Sequence, residues 1–167
     1  MERAFLFVNR FVCAVLMAAS CTLVFANVVL RYGFGQSFAW AEEVSRYMVV
    51  WLAFLASGLA LRQGAHIAVE TLPESLPEPA ARLLRVLIVL LVAVFLVLLA
   101  WWGWDYAIFA WGQYSPVLRL SAGMIYLAVP VGCVLMLVHL ALMAPGFIHR
   151  ARSDADKVAA AELGGAL

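Results

Sequence analysis

Residues 83–104 read LLRVLIVLLVAVFLVLLAWWGW, and this stretch decides the fold. It is apolar throughout except for Arg85 near its start. A helix that crosses a bilayer needs about 20 mostly apolar residues, and this segment supplies them without a break. Three more segments qualify on either side of it. Residues 11–30 carry only Ser20, Thr22 and Asn27 as polar side chains. Residues 40–61 begin with two turns that hold Glu42, Glu43 and Arg46. Residues 122–147 are interrupted by Pro130. The predicted fold is an all-α polytopic membrane protein with four transmembrane helices. The second span has the strongest competitor. Its strictly apolar part, 47–61, is short, so an interfacial or re-entrant helix is the alternative there.

The third span is predicted to outrun the bilayer. From Ala80 to Tyr114 there is no proline, and only Gly103 and Gly112 weaken helix propensity. A continuous helix of that length runs about 50 Å at 1.5 Å per residue. It must then tilt or project from a hydrocarbon core about 30 Å thick. The alternative is a break at Gly103 followed by an interfacial helix.

Composition agrees with the lipid reading. Of 167 residues, 66% are apolar and 13% charged, against about 45–50% and about 25% in soluble domains. A soluble enzyme or a disordered tail is excluded, and a net charge of +1 gives no basic field for nucleic acid. Cys13, Cys21 and Cys133 lie in apolar stretches without metal or disulfide spacing.

Orientation follows from Lys and Arg, which concentrate in cytoplasmic segments. With the N-terminus inside, Arg3, Arg10, Arg62, Arg82, Arg85, Arg150, Arg152 and Lys157 lie inside, and Arg31, Arg46 and Arg119 outside. This predicts N-in/C-in, a membrane domain over 1–152 and a cytoplasmic tail over 153–167. Trp40, Trp101, Trp102, Trp104 and Trp111 then gather at the outer interface, where indoles settle. Ala18-Ala19-Ser20-Cys21 has a faint look of a lipoprotein signal, but the apolar run continues to Leu30, so a retained first span is expected.

Few side chains could carry chemistry. Arg31, Glu42, Glu43 and Arg46 form the densest charged set. Glu42 and Arg46 are spaced i,i+4, and Glu43 and Arg46 i,i+3, so both pairs can meet on a helix. Arg31 could return to either carboxylate across a turn at Gly33-Phe34-Gly35. The cluster reads as a pin between two helix ends or as a polar docking patch. Glu42 and Glu43 point about 100° apart on a helix, a weak cation site. Of the three histidines, His66 and His149 lie in inner segments, and only His139 falls within a span. Ala14, Ala18, Thr22 and Ala26 recur every four residues and predict a close helix contact, as do Ala53 and Ser57 of the second span. Pro130 and Gly132 predict a kink.

Asn27-Val-Val-Leu-Arg31-Tyr32-Gly33-Phe34 is followed by Trp40-Ala-Glu42-Glu43-Val-Ser-Arg46-Tyr47, then by Trp51, Gly58, Arg62 and His66-Ile67. This pattern resembles the small membrane subunit, DctQ-like, of tripartite ATP-independent periplasmic (TRAP) transporters. Ser115-Pro116, Tyr126 and Pro130-Val-Gly132 fit it as well. The resemblance covers nearly the whole chain. It implies a three-part system in the bacterial inner membrane. A periplasmic substrate-binding protein captures a carboxylate, and a large multi-span subunit carries substrate and sodium by an elevator-like movement. The small subunit enlarges the static scaffold and helps receive the binding protein. Sodium is then expected on the large subunit, with no cofactor, metal or catalytic residue on this chain. Arg31, Tyr32, Trp40, Glu42, Glu43, Arg46, Trp51, Gly58, His66, Trp111 and Pro130 become candidates for subunit contact or structure, with Trp111 alternatively anchoring in membrane lipid. Loss of Arg46 is expected to leave carboxylates unpaired and weaken assembly.

Two rival classes remain. A haem- or quinone-binding anchor of a respiratory complex needs facing intramembrane histidines, and this chain has one. A self-assembling exporter calls for a mid-membrane carboxylate, whereas the carboxylates here lie near span ends.

Overall fold

A computed structural model describes residues 2–62 and 78–148; His66, His149 and the predicted tail lie outside them. Helix α1 spans Glu2–Phe34, α2 spans Ala39–Arg62 and α3 spans Glu78–Phe109, followed by a 3-10 turn at Ala110–Gly112. A short α4, Ala122–Tyr126, precedes α5, Ala128–Ile148. Four helical stretches are long and apolar enough to cross a membrane: Ala4–Phe34, Ala39–Arg62, Pro79–Gly112 and Ala122–Ile148. The second of these is one continuous helix rather than a re-entrant pair.

Boundaries move where local chemistry dictates. Helix α1 starts nine residues before the predicted span and continues through Gly33. At 33 residues it is about 50 Å long. In this turn it is Gly35, not Gly33, that takes the left-handed conformation, φ +68°, which glycine adopts without a Cβ penalty. The Gln36 N–H then closes on the Leu30 carbonyl at 3.2 Å. Helix α3 passes Gly103 without a break, as the long-helix reading expects. It tightens at Ala110 and ends at Gly112 instead of reaching Tyr114. There the Ser121 hydroxyl takes the Trp111 carbonyl at 2.7 Å, and the Gln113 carbonyl accepts from the Ala122 N–H at 2.8 Å. The fourth span is interrupted at Leu127, three residues before Pro130. Pro130 sits in the first turn of α5, where a missing N–H costs least; its ring is incompatible with a helical carbonyl four residues back, at Tyr126. Pro145 lies inside α5 near its end.

The helices pack as a row rather than a closed bundle. Helix α2 packs against α1 and α5, and α5 packs against α3, which leaves α1 and α3 on the two flanks. Glycines set the closest approaches. A Cβ on Gly132 would stand 2.6 Å from the Phe54 Cβ, and one on Gly58 would stand 2.5 Å from the His139 Cδ2. Helix α5, one of the two inner elements of the row, is the most buried span, and α3 is the least. A core of Leu61, Leu96, Cys133 and Leu140 joins α2, α3 and α5.

The small-residue stripe of α1 is not packed against the other described helices of this chain. Ala14, Ala18, Thr22 and Ala26 face outward, and the buried positions are Asn9, Cys13, Ser20 and Asn27. The reason is the solvent. Lipid is as apolar as alanine and gives no drive to bury it, whereas polar side chains find partners only inside.

Candidate functional site

The end of the row where α1 finishes, α2 begins and α3 ends is rich in tryptophan. Trp40, Trp101, Trp102, Trp104 and Trp111 are all exposed there, as an interfacial aromatic belt requires. Trp40 sits 5.9 Å from Phe38, ring centre to ring centre. Tyr32 is exposed on the last turns of α1, and Trp51 is half-buried along α2.

The charged cluster divides into two parts. Arg31 and Glu42 meet at 4.0 Å, with both side chains more than half exposed. This is the expected return from the first span to the second, but an exposed pair at that distance is weak. Glu43 behaves differently. It is buried, at 5% exposure, and does not pair with Arg46. Its Oε1 accepts from the Tyr47 hydroxyl, and its Oε2 accepts from the Leu118 N–H at 2.8 Å. The Ser115 hydroxyl and the Val117 N–H also face this carboxylate. Arg46 is exposed and, among the described residues, joins no ion pair. The expectation that removing Arg46 strands the carboxylates is therefore corrected: Glu42 pairs with Arg31, and Glu43 is satisfied by Tyr47 and by donors from the α3–α4 connection.

That connection, residues 113–121, is tied at several points. The Ser115 N–H donates to the Leu120 carbonyl at 2.9 Å, and the Leu120 N–H returns to the Ser115 hydroxyl at 3.1 Å. Tyr114 and Ser121 form an isolated antiparallel bridge. At the same end, the Asn27 side-chain oxygen accepts from the Phe38 N–H at 2.8 Å and fixes the α1–α2 turn. Buried polar side chains thus hold both connections at the aromatic end. Sequence reasoning missed Asn27 and Ser115 in these roles. For Asn27 the signal was present: Asn9, Ser20 and Asn27 recur on one face of an otherwise apolar helix.

Towards the opposite end lies a second polar tie. His139 is fully buried. Its Nε2 lies 3.1 Å from the Asn9 side-chain nitrogen, Phe5 packs at 5.0 Å, and Gly58 backs the Cδ2 edge. The Cys13 thiol lies 3.7 Å from the Asn9 oxygen. Gly58 is thus a packing residue, and His139 joins α1, α2 and α5. A haem-anchor reading needs an imidazole nitrogen facing an open pocket, and this ring is enclosed on the sides described. Pro130 is buried between α5 and α3, beside Gly103.

Grooves beside Trp104 are apolar. One is lined by Pro130, Val131, Val134, Leu135 and Val138, the other by Ile108, Trp111 and Leu127. Such walls offer nothing to a carboxylate or a sodium ion. Among the described residues, no group of three His, Cys, Asp or Glu side chains converges as for a metal.

Residues 20–145 match the family model described as tripartite ATP-independent periplasmic transporters, DctQ component. The chain belongs to the DctQ family. Among its relatives is a protein of Haemophilus influenzae named as a TRAP transporter small permease, 31% identical over 78% of this chain and 83% of the relative. The ectoine TRAP transporter small permease protein TeaB of Halomonas elongata is 30% identical over 71% of this chain and 61% of its own length. The C4-dicarboxylate TRAP transporter small permease protein DctQ of Vibrio cholerae is 29% identical over 59% of this chain and 43% of its own. This DctQ-family chain is thus a small permease component of a three-part transporter and a multi-pass protein of the bacterial inner membrane. The family match begins at Ser20 and takes in the whole Asn27 to Tyr47 block, so the aromatic-end ties lie within the matched region, whereas Asn9 lies before it.

Proposed function

We propose that this chain is the static small subunit of a sodium-coupled importer of organic acids, packing against the large transport subunit and leaving solute and sodium to it. The aromatic end is then periplasmic, and a soluble binding protein delivers the substrate there. Relatives named for C4-dicarboxylates and for ectoine support a small, charged organic solute. One observation carries the accessory role. Buried polar side chains described within the spans make internal ties, Asn9 with the His139 Nε2, Asn27 with Phe38, and Glu43 with Tyr47 and Leu118, and the one imidazole nitrogen left over among the described residues, the His139 Nδ1, stands alone rather than in a polar cluster. A solute path for a charged acid needs polar groups that converge on a cavity, as at the helix ends of transporters, and these groups converge on the protein itself. Arg31, Tyr32, Trp40 and Trp111, exposed at the aromatic end, are the proposed subunit contacts.

Reconstitution tests this reading. The large subunit, this chain and the binding protein are placed in proteoliposomes under an inward sodium gradient. Uptake is expected only with all three. Sodium-driven uptake by this chain alone, or full uptake without it, would refute the accessory role.

A further inference from the structure

We propose that Arg119, at the tip of the 113–121 connection, is a docking point for a carboxylate on the soluble binding protein that meets the aromatic end. The proposal rests on the importer reading above and names the contact through which that partner is received.

The backbone carries the first part of the argument. Arg119 has φ +53°, and among the described residues it alone holds a positive φ without being glycine. An L side chain in this region is strained by its Cβ, and glycine is not. A glycine would adopt this φ without that cost, so the backbone itself does not call for an arginine.

The neighbours carry the second part. Both residues flanking Arg119 are anchored through their N–H groups to buried acceptors. The Leu118 N–H is held by Glu43 and the Leu120 N–H by Ser115, side chains 5% and 8% exposed. The strained residue is therefore fixed in space while its guanidinium stays exposed. Arg31 and Glu42 form their own pair, and Arg119 joins no ion pair among the described residues. The same connection also exposes the apolar side chains of Tyr114, Val117 and Leu120, and apolar surface beside an arginine is the setting in which it contributes most to an interface. A guanidinium on a rigid support presents a planar fork that fits a carboxylate with two parallel bonds.

Position selects the partner. The tip lies on the connection between the third and fourth spans, at the end of the row. A neighbour within the membrane meets the flanks of α1 and α3, whereas a protein arriving from the aqueous side meets the end.

The test uses the complete three-part transporter in proteoliposomes, with uptake followed against binding-protein concentration. Arg119→Glu and Arg119→Gly are expected to raise the half-saturating concentration about tenfold, with the maximal rate and co-purification of the large subunit unchanged. Arg119→Lys is expected to recover part of the loss. Arg119→Gly separates charge from fold, because glycine suits the φ and should keep amide protection at Leu118 and Leu120. An unchanged half-saturating concentration in Arg119→Gly overturns the docking role. Loss of the large subunit on purification of Arg119→Glu overturns it in favour of a lateral contact, and a defect that changes only with vesicle lipid overturns it in favour of a headgroup. If wild-type complex shows no sodium-driven uptake at any binding-protein concentration, the importer reading falls, and this proposal with it. Normal wild-type uptake with indifferent variants removes this proposal alone.

Discussion

The two ends of the molecule are held by polar ties of different design. At the aromatic end, buried side chains grip backbone N–H groups of the connections: Glu43 holds Leu118, and Asn27 holds Phe38. At the opposite end, side chain meets side chain between helices, Asn9 to His139, with Gly58 making room for the ring. A connection has unpaired backbone groups and can be shaped by a single acceptor. A helix has none to spare in mid-span, so a tie there needs two side chains and a small residue opposite. The aromatic end is thus built to fix the shape of exposed loops, and the other end to fix the relation of three helices.

This contrast can be broken by substitution. The largest effect is expected at Gly58. Gly58→Leu drives a side chain into the buried imidazole and should cost about 3 kcal/mol, read as a shift in thermal unfolding in detergent. Little change would mean that α2 and α5 separate freely, and the three-helix joint would lose its meaning. Next comes Glu43→Ala, which strands the Leu118 N–H and the Tyr47 hydroxyl. Exchange of the Leu118 amide is expected to speed up about tenfold, while amides in α5 near His139 keep their rates. Glu43→Gln, which retains an acceptor, should recover much of the protection. Equal loosening at both ends would show that the ties form one network.

Smaller effects sharpen the comparison. Asn9→Leu removes one interhelical hydrogen bond and should cost about 1 kcal/mol, with loop exchange at Leu118 unchanged. The Asn9→Leu and Glu43→Ala effects should add, since they share no partner. Smallest is the Arg31–Glu42 pair. A double-mutant cycle is expected to give at most about 0.5 kcal/mol of coupling in the isolated chain. A much larger coupling in the assembled transporter would place the pair at a subunit contact.

Much of the fold was legible because lipid imposes a simple rule. An apolar run of sufficient length must be a helix, so residues 83–104 needed no tertiary knowledge, and the continuity of α3 through Gly103 followed from propensity. Which face of each helix turned inward was less legible. The four-residue repeat from Ala14 to Ala26 suggested a contact that the structure places outside, since in lipid small size alone does not draw a face inward. The Arg31–Glu42 pair was readable from adjacency across a short turn. The fate of Glu43 was not, because beyond Tyr47 one turn on, its partners lie far along the chain and include the Leu118 backbone N–H, which carries no side-chain signature.

The sequence by itself determined that this protein lives in the membrane, how many times its helices can cross, and that it falls in the DctQ family. Those properties depend on local composition and short motifs. Only the tertiary structure decided that the helices form a row with α2 and α5 inside it, that Glu43 shapes the 113–121 connection, and that Arg119 is held strained at its tip. Each of these depends on which distant groups meet, and meeting is decided by close approach at Gly58, Gly103 and Gly132 and by buried polar atoms that must find partners where water is absent.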